Sequence, residues 1–401
     1  MPQPAPTVRY HAMDALRAFA LLLGVFFHAA ESFCPGRTSW AIVDIRAHWF
    51  AEWFQHVSHS FRMELFFVMA GFFAQMMLSR QGAGGFLAQR AQRVLLPLVL
   101  GWLILVPPLM AMWIHGAQAM GHYADLAGHL GIETPAGAGV LQATWAYYRS
   151  GSALGAGFTL GHLWFLHHLA LLYTLFLLVR GVSVRLGPVG EALEAAIDRG
   201  LRATLRWRLL LPLFALAVVP AVYAMGGGVI TANTTLLPPA AGIYLYGLCF
   251  GLGWWLHRNA DLLPGVGAGF PALLAIGLAL AIATGGDWLP DLPTLAYSGL
   301  YALMMGCFVF GFIGLFQRIA GGGHPLWRYL ADASYWIYLI HLPVVVALQI
   351  LLWQLHWPAS LKYGLIIGVA IPTLLLSYHY WVRATAVGVL LNGKRIARRL
   401  P

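Results

Sequence analysis

Arg17 and His28 stand eleven positions apart in the apolar stretch DALRAFALLLGVFFH, residues 14–28. In a helix that step leaves them only ~20° apart around the axis and ~16 Å apart along it. One helix face therefore presents a cation and, well above it, an imidazole able to take a proton near neutral pH. Ionisable groups in an apolar span are costly and usually face a protein interior or a wet cavity, which marks them as candidates for function. The plainer alternative has Arg17 snorkelling to the headgroups and His28 hydrogen-bonded to a neighbouring helix.

Glu64, in FRMELFFVMAGFF, enters the second apolar stretch at a depth similar to that of His28. A carboxylate beside an imidazole fixes its tautomer and raises its basicity, as a general base for a hydroxyl requires. The alternative pairs Glu64 with Arg62 or Arg46. Arg90 and Arg93, in LAQRAQRVLLP, lie one turn apart where the third stretch begins, with Pro97 following. Together with that helix's N-terminus they could hold phosphates, although topology alone would also put arginines there. GHLWFLHHL brings His162 and Trp164 into the fourth stretch near the depth of His28, with His167 and His168 deeper. No i, i+4 histidine pair with an acid accompanies them, so no metal is expected. His341 lies near the middle of the ninth stretch, in SYWIYLIHLP, one turn beyond Tyr338. The pair reads either as an interhelical hydrogen bond or as substrate-binding residues.

These groups need elements to hold them. Of 401 residues 60% are hydrophobic and only 9% charged, with a mean hydropathy of +0.72. Soluble proteins carry roughly a quarter charged residues, so the chain reads as an integral membrane protein. A single domain over residues 1–401 is expected, with a basic tail at 384–401. Ten stretches are long enough to span a bilayer at ~20 residues each: 14–33, 61–79, 94–115, 159–180, 209–227, 238–257, 267–285, 294–316, 330–353 and 364–383. With the N-terminus in the cytoplasm, nineteen of the 24 lysines and arginines fall inside and five, Arg37, Arg46, Arg62, Arg149 and Lys362, fall outside, the asymmetry that sets orientation. The expected fold is an all-α polytopic membrane protein of about ten transmembrane helices, with both termini cytoplasmic.

The net charge of +10 is accounted for by loop arginines, so no nucleic-acid partner is expected. Cys34, Cys249 and Cys307 have neither disulfide nor metal spacing. Asp14 and Arg17 break the order of a signal peptide, so a retained first span is expected. Residues 34–60 read as an amphipathic segment on the outer surface, and 116–158 as an irregular or partly re-entrant outer loop. Residues 181–208 read as a basic amphipathic helix lying on cytoplasmic lipid.

Several of these segments together resemble the acyltransferase-3 family of membrane O-acyltransferases. They are Asp14-x-x-Arg17 with His28 beyond ten intervening residues, and the core Phe66, Phe67, Val68, Ala70, Gly71 and Phe72. Arg90, Arg93 and Pro97, HLWFL and SYWIYLIHLP follow in family order, and the resemblance runs over about residues 9–383. RYHAMDALRA, FRM-x-x-FFV and SYWIYLIHLPVV look most like the branch that succinylates periplasmic glucans. The family's common Ser-Gly is Ala70-Gly71 here, which removes a hydroxyl. The resemblance implies transfer of an acyl group, succinyl or acetyl, from cytoplasmic acyl-CoA to a hydroxyl of a periplasmic glycan, at a bacterial inner membrane.

Acyl-CoA is then a donor substrate, with no permanently bound cofactor, and membrane lipids and the glycan acceptor are the other partners. Donor phosphates would fall to Arg17, Arg90 and Arg93. His28 would be the base, aided by Glu64, with attack on the thioester either direct or through a covalent acyl-histidine. Asp14, His162, Trp164, Tyr338 and His341 would be structural or substrate-binding. The oligomeric state stays open. The rival reading is a transporter or flippase of a glycan or acylated intermediate without chemistry of its own; no internal repeat supports it.

Overall fold

The computed structural model describes residues 10–37, 39–135, 137–155, 157–227, 230, 234–286, 292–393 and 395–396. Among the described residues every regular element is helical. In chain order these are α1 (His11–Glu31), α2 (Trp49–His59), α3 (Arg62–Arg90), α4 (Leu96–Ala119), α5 (Tyr123–Leu130), α6 (Val140–Arg149), α7 (Trp164–Arg185) and α8 (Pro188–Arg206). There follow α9 (Leu210–Ala224), α10 (Ala240–Arg258), α11 (Leu263–Val266), α12 (Phe270–Thr284), α13 (Thr294–Ala320), α14 (Pro325–Leu352), α15 (Ala359–Ser377) and α16 (Ala386–Asn392).

Six helical runs are long and apolar enough to cross a membrane, and eight if each of two bent pairs forms one span. One of the six, Trp49–Ala119, contains both α3 and α4 and so holds two of the expected stretches. The bent pairs join α8 to α9 at 116° and the segment Ala260–Val266 to α12 at 57°. The expected stretch at 238–257 forms α10 and is not among the six. The protein is an all-helical, multi-pass membrane protein.

The first helix is the hub. It packs on α14 and α13 along its length and on α2 and α3 beside them. Small residues such as Ala15, Ala18, Ala20 and Ala29, all wholly buried, let these neighbours approach from several sides. The close approach of α3 to α10 is set by two glycines. A Cβ on Gly71 would stand 1.9 Å from the Phe250 carbonyl oxygen, and one on Gly253 would stand 1.7 Å from that of Val68. The motif glycine beside Ala70 is therefore a close-packing residue. Gly71→Val should cost at least the ~1–3 kcal/mol of ordinary overpacking, because backbone rather than side chain is in the way. Fluorescence-detected size exclusion of detergent extracts should show the monodisperse peak lost. A normal peak would mean that α3 and α10 can part.

One loop expectation is corrected and one is refined. Residues 116–158 are largely helical, and α5 and α6 enclose a small core of Ile114, Ala127, Ile132, Ala143 and Tyr147 against α4. The basic amphipathic helix expected at 181–208 is present as α8, with Glu194 and Asp198 turned towards ion-pair partners. Glu194 pairs with Arg180 and Arg258, Asp198 with Arg258, and Arg202 with Asp261. Val189, Leu193 and Ile197, four residues apart, form an exposed apolar stripe, and Arg199 and Arg206 of the same helix are exposed as well. Lys394 and residues 397–401 of the basic tail lie outside the described residues.

Candidate active site

A cavity of about 1160 Å³ lies beside the C-terminal half of α1. Ala20, Leu21, Gly24, Phe27, His28 and Glu31 line it, a stripe that recurs every three or four residues as one helix face must. Arg17 continues that stripe one turn below the lowest lining residue. Phe27 and His28 meet Arg62, His59, His162, Tyr338 and His341 from four other segments.

Three histidines converge on this wall. The ring centroid of His28 is 5.2 Å from that of His341, which is 5.6 Å from that of His162. Backbone carbonyls set two of the tautomers. His341 Nδ1 lies 2.7 Å from the Tyr338 carbonyl oxygen and 3.2 Å from that of Ile337, one and the same turn of α14. A carbonyl only accepts, so Nδ1 carries the proton and Nε2 of the neutral ring keeps a lone pair. His162 is fixed the other way round: Nε2 donates to the Leu339 carbonyl at 2.8 Å, leaving Nδ1 with the lone pair. His341 Nε2, His162 Nδ1 and His28 Nδ1 are all buried without a protein partner. Such atoms are expensive to leave idle; His341 Nε2 and His162 Nδ1 are acceptors, and the His28 ring lies beside that of His341.

The expected Tyr–His contact also takes a different form. The Tyr338 hydroxyl donates to the backbone oxygen of His162 at 2.9 Å, so α14 and the start of α7 are cross-tied in both directions. Trp164 lines the cavity with its ring edge-on to His168 at 5.1 Å. Among the described residues no group of three or more His, Cys, Asp or Glu side chains is arranged to hold a metal ion.

The segment between α1 and α2 roofs the cavity. Trp40 stacks on His28 with the ring planes 6° apart and centroids at 5.5 Å, and its other neighbour is Trp113 at 5.1 Å. Gln349 fixes that stack: its oxygen accepts from Trp40 Nε1 at 2.9 Å while its nitrogen donates to the His28 carbonyl at 2.8 Å. The roof is anchored by Lys362, which pairs with Asp44 at 2.5 Å with neither side chain reaching water. Gly116 admits it closely, since a Cβ there would sit 1.6 Å from the Ala41 carbonyl oxygen. Sequence reasoning missed Trp40 and Gln349 as site residues. Gln349 was legible as a polar residue two turns beyond His341 in an apolar span.

At the other end of α1 the arginines gather. Arg93 lies within electrostatic range of both Arg90 and Arg17. Arg17 pairs with Asp14 at 3.5 Å and covers the Phe73 ring at 5.2 Å. Arg90 lies over the rings of Phe86 and Tyr173 and donates to the Tyr173 hydroxyl at 3.2 Å. Tyr335 donates to the Arg93 carbonyl at 2.5 Å. From there rings climb α14 towards the cavity: Tyr335 to Tyr338 at 6.3 Å, Tyr338 to His341 at 6.3 Å, then His28. The C-terminal segment closes over Arg93, whose guanidinium touches Gly393 so closely that a Cβ there would overlap Nη2.

Two site expectations are corrected. Glu64 is wholly buried but is not part of the cavity wall, and its neighbours in electrostatic range are Arg62, Tyr246, Cys249 and Tyr301. The cause is helical phase. Arg62, Met63 and Phe66 face the cavity, and Glu64, ~200° round from Arg62, faces α10 and α13 instead. The arginine pair also has no free helix N-terminus beside it. Chain Ala91–Leu95 is a π-helical turn that carries α3 into α4 without a break, so phosphate recognition there would depend on side chains.

A family model described as an acyltransferase domain, of the acyltransferase-3 type, matches residues 10–381. Curated relatives include the glucans biosynthesis protein C of Salmonella paratyphi B and that of Salmonella heidelberg, each 33% identical over 96 residues. The match covers 24% of this chain and 24% of each relative, so the chain spans about a quarter of their length. No solved structure matches. With its motifs in order and almost every residue inside the match, the chain belongs to the acyltransferase-3 family of membrane acyltransferases.

Proposed function

We propose that the protein moves an acyl group, succinyl or acetyl, from cytoplasmic acyl-CoA to a hydroxyl of a periplasmic glycan at the bacterial inner membrane. The observation that carries the reading is the histidine wall: His28, with a partner-free Nδ1, faces a cavity large enough for sugar rings and roofed by Trp40. Flat indole faces suit sugar rings, and the acids and histidines around them suit hydroxyls.

The donor's phosphates belong at Arg17, Arg90 and Arg93, where like charges gather with, among the described residues, Asp14 as their salt-bridge partner. The acyl arm then follows the ring ladder from Tyr335 to His341, six residues or ~9 Å of helix rise. His28 takes the proton from the acceptor hydroxyl, and the resulting alkoxide attacks the thioester carbonyl. His341 and His162 offer acceptor nitrogens that hold and orient the hydroxyl. The glucan-related names of the curated relatives favour a glucan among glycan acceptors.

The deciding assay is release of CoA thiol from acetyl-CoA or succinyl-CoA by the purified protein, with and without a glucan acceptor. Acceptor-stimulated release supports transfer, whereas a transporter would leave the thioester intact. The orientation, ten spans with both termini cytoplasmic, is tested by reporter fusions at residues 85, 130 and 195. They should read inside, outside and inside, and a cytoplasmic 130 would overturn the span count.

A further inference from the structure

Arg62 opens α3 and lines the cavity beside His28, yet the chemistry above gives it no task. Its side chain is only 7% exposed. The guanidinium lies over the Phe27 ring at 4.2 Å, and Nη1 would stand 3.0 Å from a Cβ placed on Gly24. Among the described residues Arg62 makes no hydrogen bond or ion pair, and its Nε is buried without a partner. The acids in range are Glu31 and Glu64. Glu31 is taken by Arg37 at 2.5 Å, and Glu64 is turned to α10 and α13.

A buried, unpaired cation costs several kcal/mol, so a fold that keeps one in a cavity wall gains where negative charge develops. Gly24 precedes His28 by one turn, ~6 Å along the helix and ~40° around it. Arg62 therefore sits on the side of His28 from which a donor rising from the arginine end would arrive. We propose that Arg62 is the catalytic group that receives the negative oxygen formed on the acyl carbonyl during transfer. The inference builds on the acyl-transfer reading. As the acceptor oxygen bonds to the carbonyl carbon, its proton passes to His28 and the carbonyl π-pair moves onto oxygen. The Arg62 guanidinium then holds that oxyanion. When the carbonyl re-forms, the carbon–sulfur bond breaks and the departing thiolate takes the proton back from His28. A fixed cation aimed at charge that exists only in the transition state raises kcat without tightening the ground state.

The test uses Arg62→Met and Arg62→Gln in the full-length protein, with wild type and His28→Ala alongside. Single-turnover transfer and donor binding are measured with acetyl-CoA, whose acyl group is neutral, and with succinyl-CoA, whose acyl group is acidic. Both Arg62 variants should lose ~10²–10³-fold in rate with either donor, at unchanged donor affinity. Thermal melting of both variants, run in parallel, checks that the rate loss is read on folded protein. Should one variant fail to fold, the other decides by the same comparison. A loss confined to succinyl-CoA overturns the proposal and assigns Arg62 to a substrate carboxylate. Wild-type rates with both donors also overturn it, and if His28→Ala is then still inactive the acyl-transfer reading survives. A wild-type protein inert towards both donors removes that reading and this one together.

Discussion

Replacing His28 with alanine is expected to cut acyl transfer by ~10²–10⁴-fold, the range for loss of a general base, while donor binding stays unchanged. The two effects separate because of distance along α1. The lowest cavity-lining residue on that helix is Ala20, and the arginine cluster begins beyond it at Arg17. The cavity itself should survive the substitution. Trp40 keeps its hydrogen bond to Gln349 and its contact with Trp113, and the roof keeps its buried Lys362–Asp44 pair. Single-turnover transfer and donor binding on detergent-purified variants make the measurement. Near wild-type turnover would make His28 a packing residue and pass the base to His341 or His162, whose lone-pair nitrogens are equally free of protein partners.

How much of this was legible depended on whether a residue's role was set within its own helix or between helices. The Arg17–His28 stripe needed only the helical period of one segment, and the structure puts residues 20, 21, 24, 27, 28 and 31 along one cavity wall as that period requires. Glu64 failed because matching depth on two helices says nothing about which way each side chain faces. The arginine cluster was legible, but the π-helical turn that removes its helix terminus was not, since no glycine or proline marks Ala91–Leu95. Trp40 was hidden for a different reason. Residues 32–48 have no periodicity, and their position depends on Asp44 meeting Lys362, 318 residues away. Lys362 itself read as an outer topological charge and is instead wholly buried. Arg62 likewise read as an outside charge, because sequence shows that a cation is present but not that it is buried in a cavity wall.

The double change Arg90→Ala with Arg93→Ala should raise the donor dissociation constant by about two orders of magnitude or more. A charge-assisted hydrogen bond contributes ~1.5–3 kcal/mol, and each ~1.4 kcal/mol is tenfold in affinity. The structure separates the two residues in what else they do. Arg93 is tied to the fold through its carbonyl, which accepts from Tyr335, so removing its side chain spares that bond. Arg90 is held by Phe86, Tyr173 and Gln89, so its loss also removes packing, and Arg90→Gln is the milder control. Arg17→Ala should follow the same pattern and weaken donor binding before it slows chemistry, since its guanidinium covers Phe73 below the cavity. The readout is equilibrium binding of acyl-CoA to purified variants, with thermal melting in parallel. Dephospho-CoA thioester, lacking the 3′-phosphate, should lose less on mutation than acyl-CoA does if either arginine meets that phosphate. Unchanged donor affinity in a correctly folded double variant would leave Arg90 and Arg93 as charges that only orient the chain in the membrane, and the donor's phosphates would have to be met elsewhere.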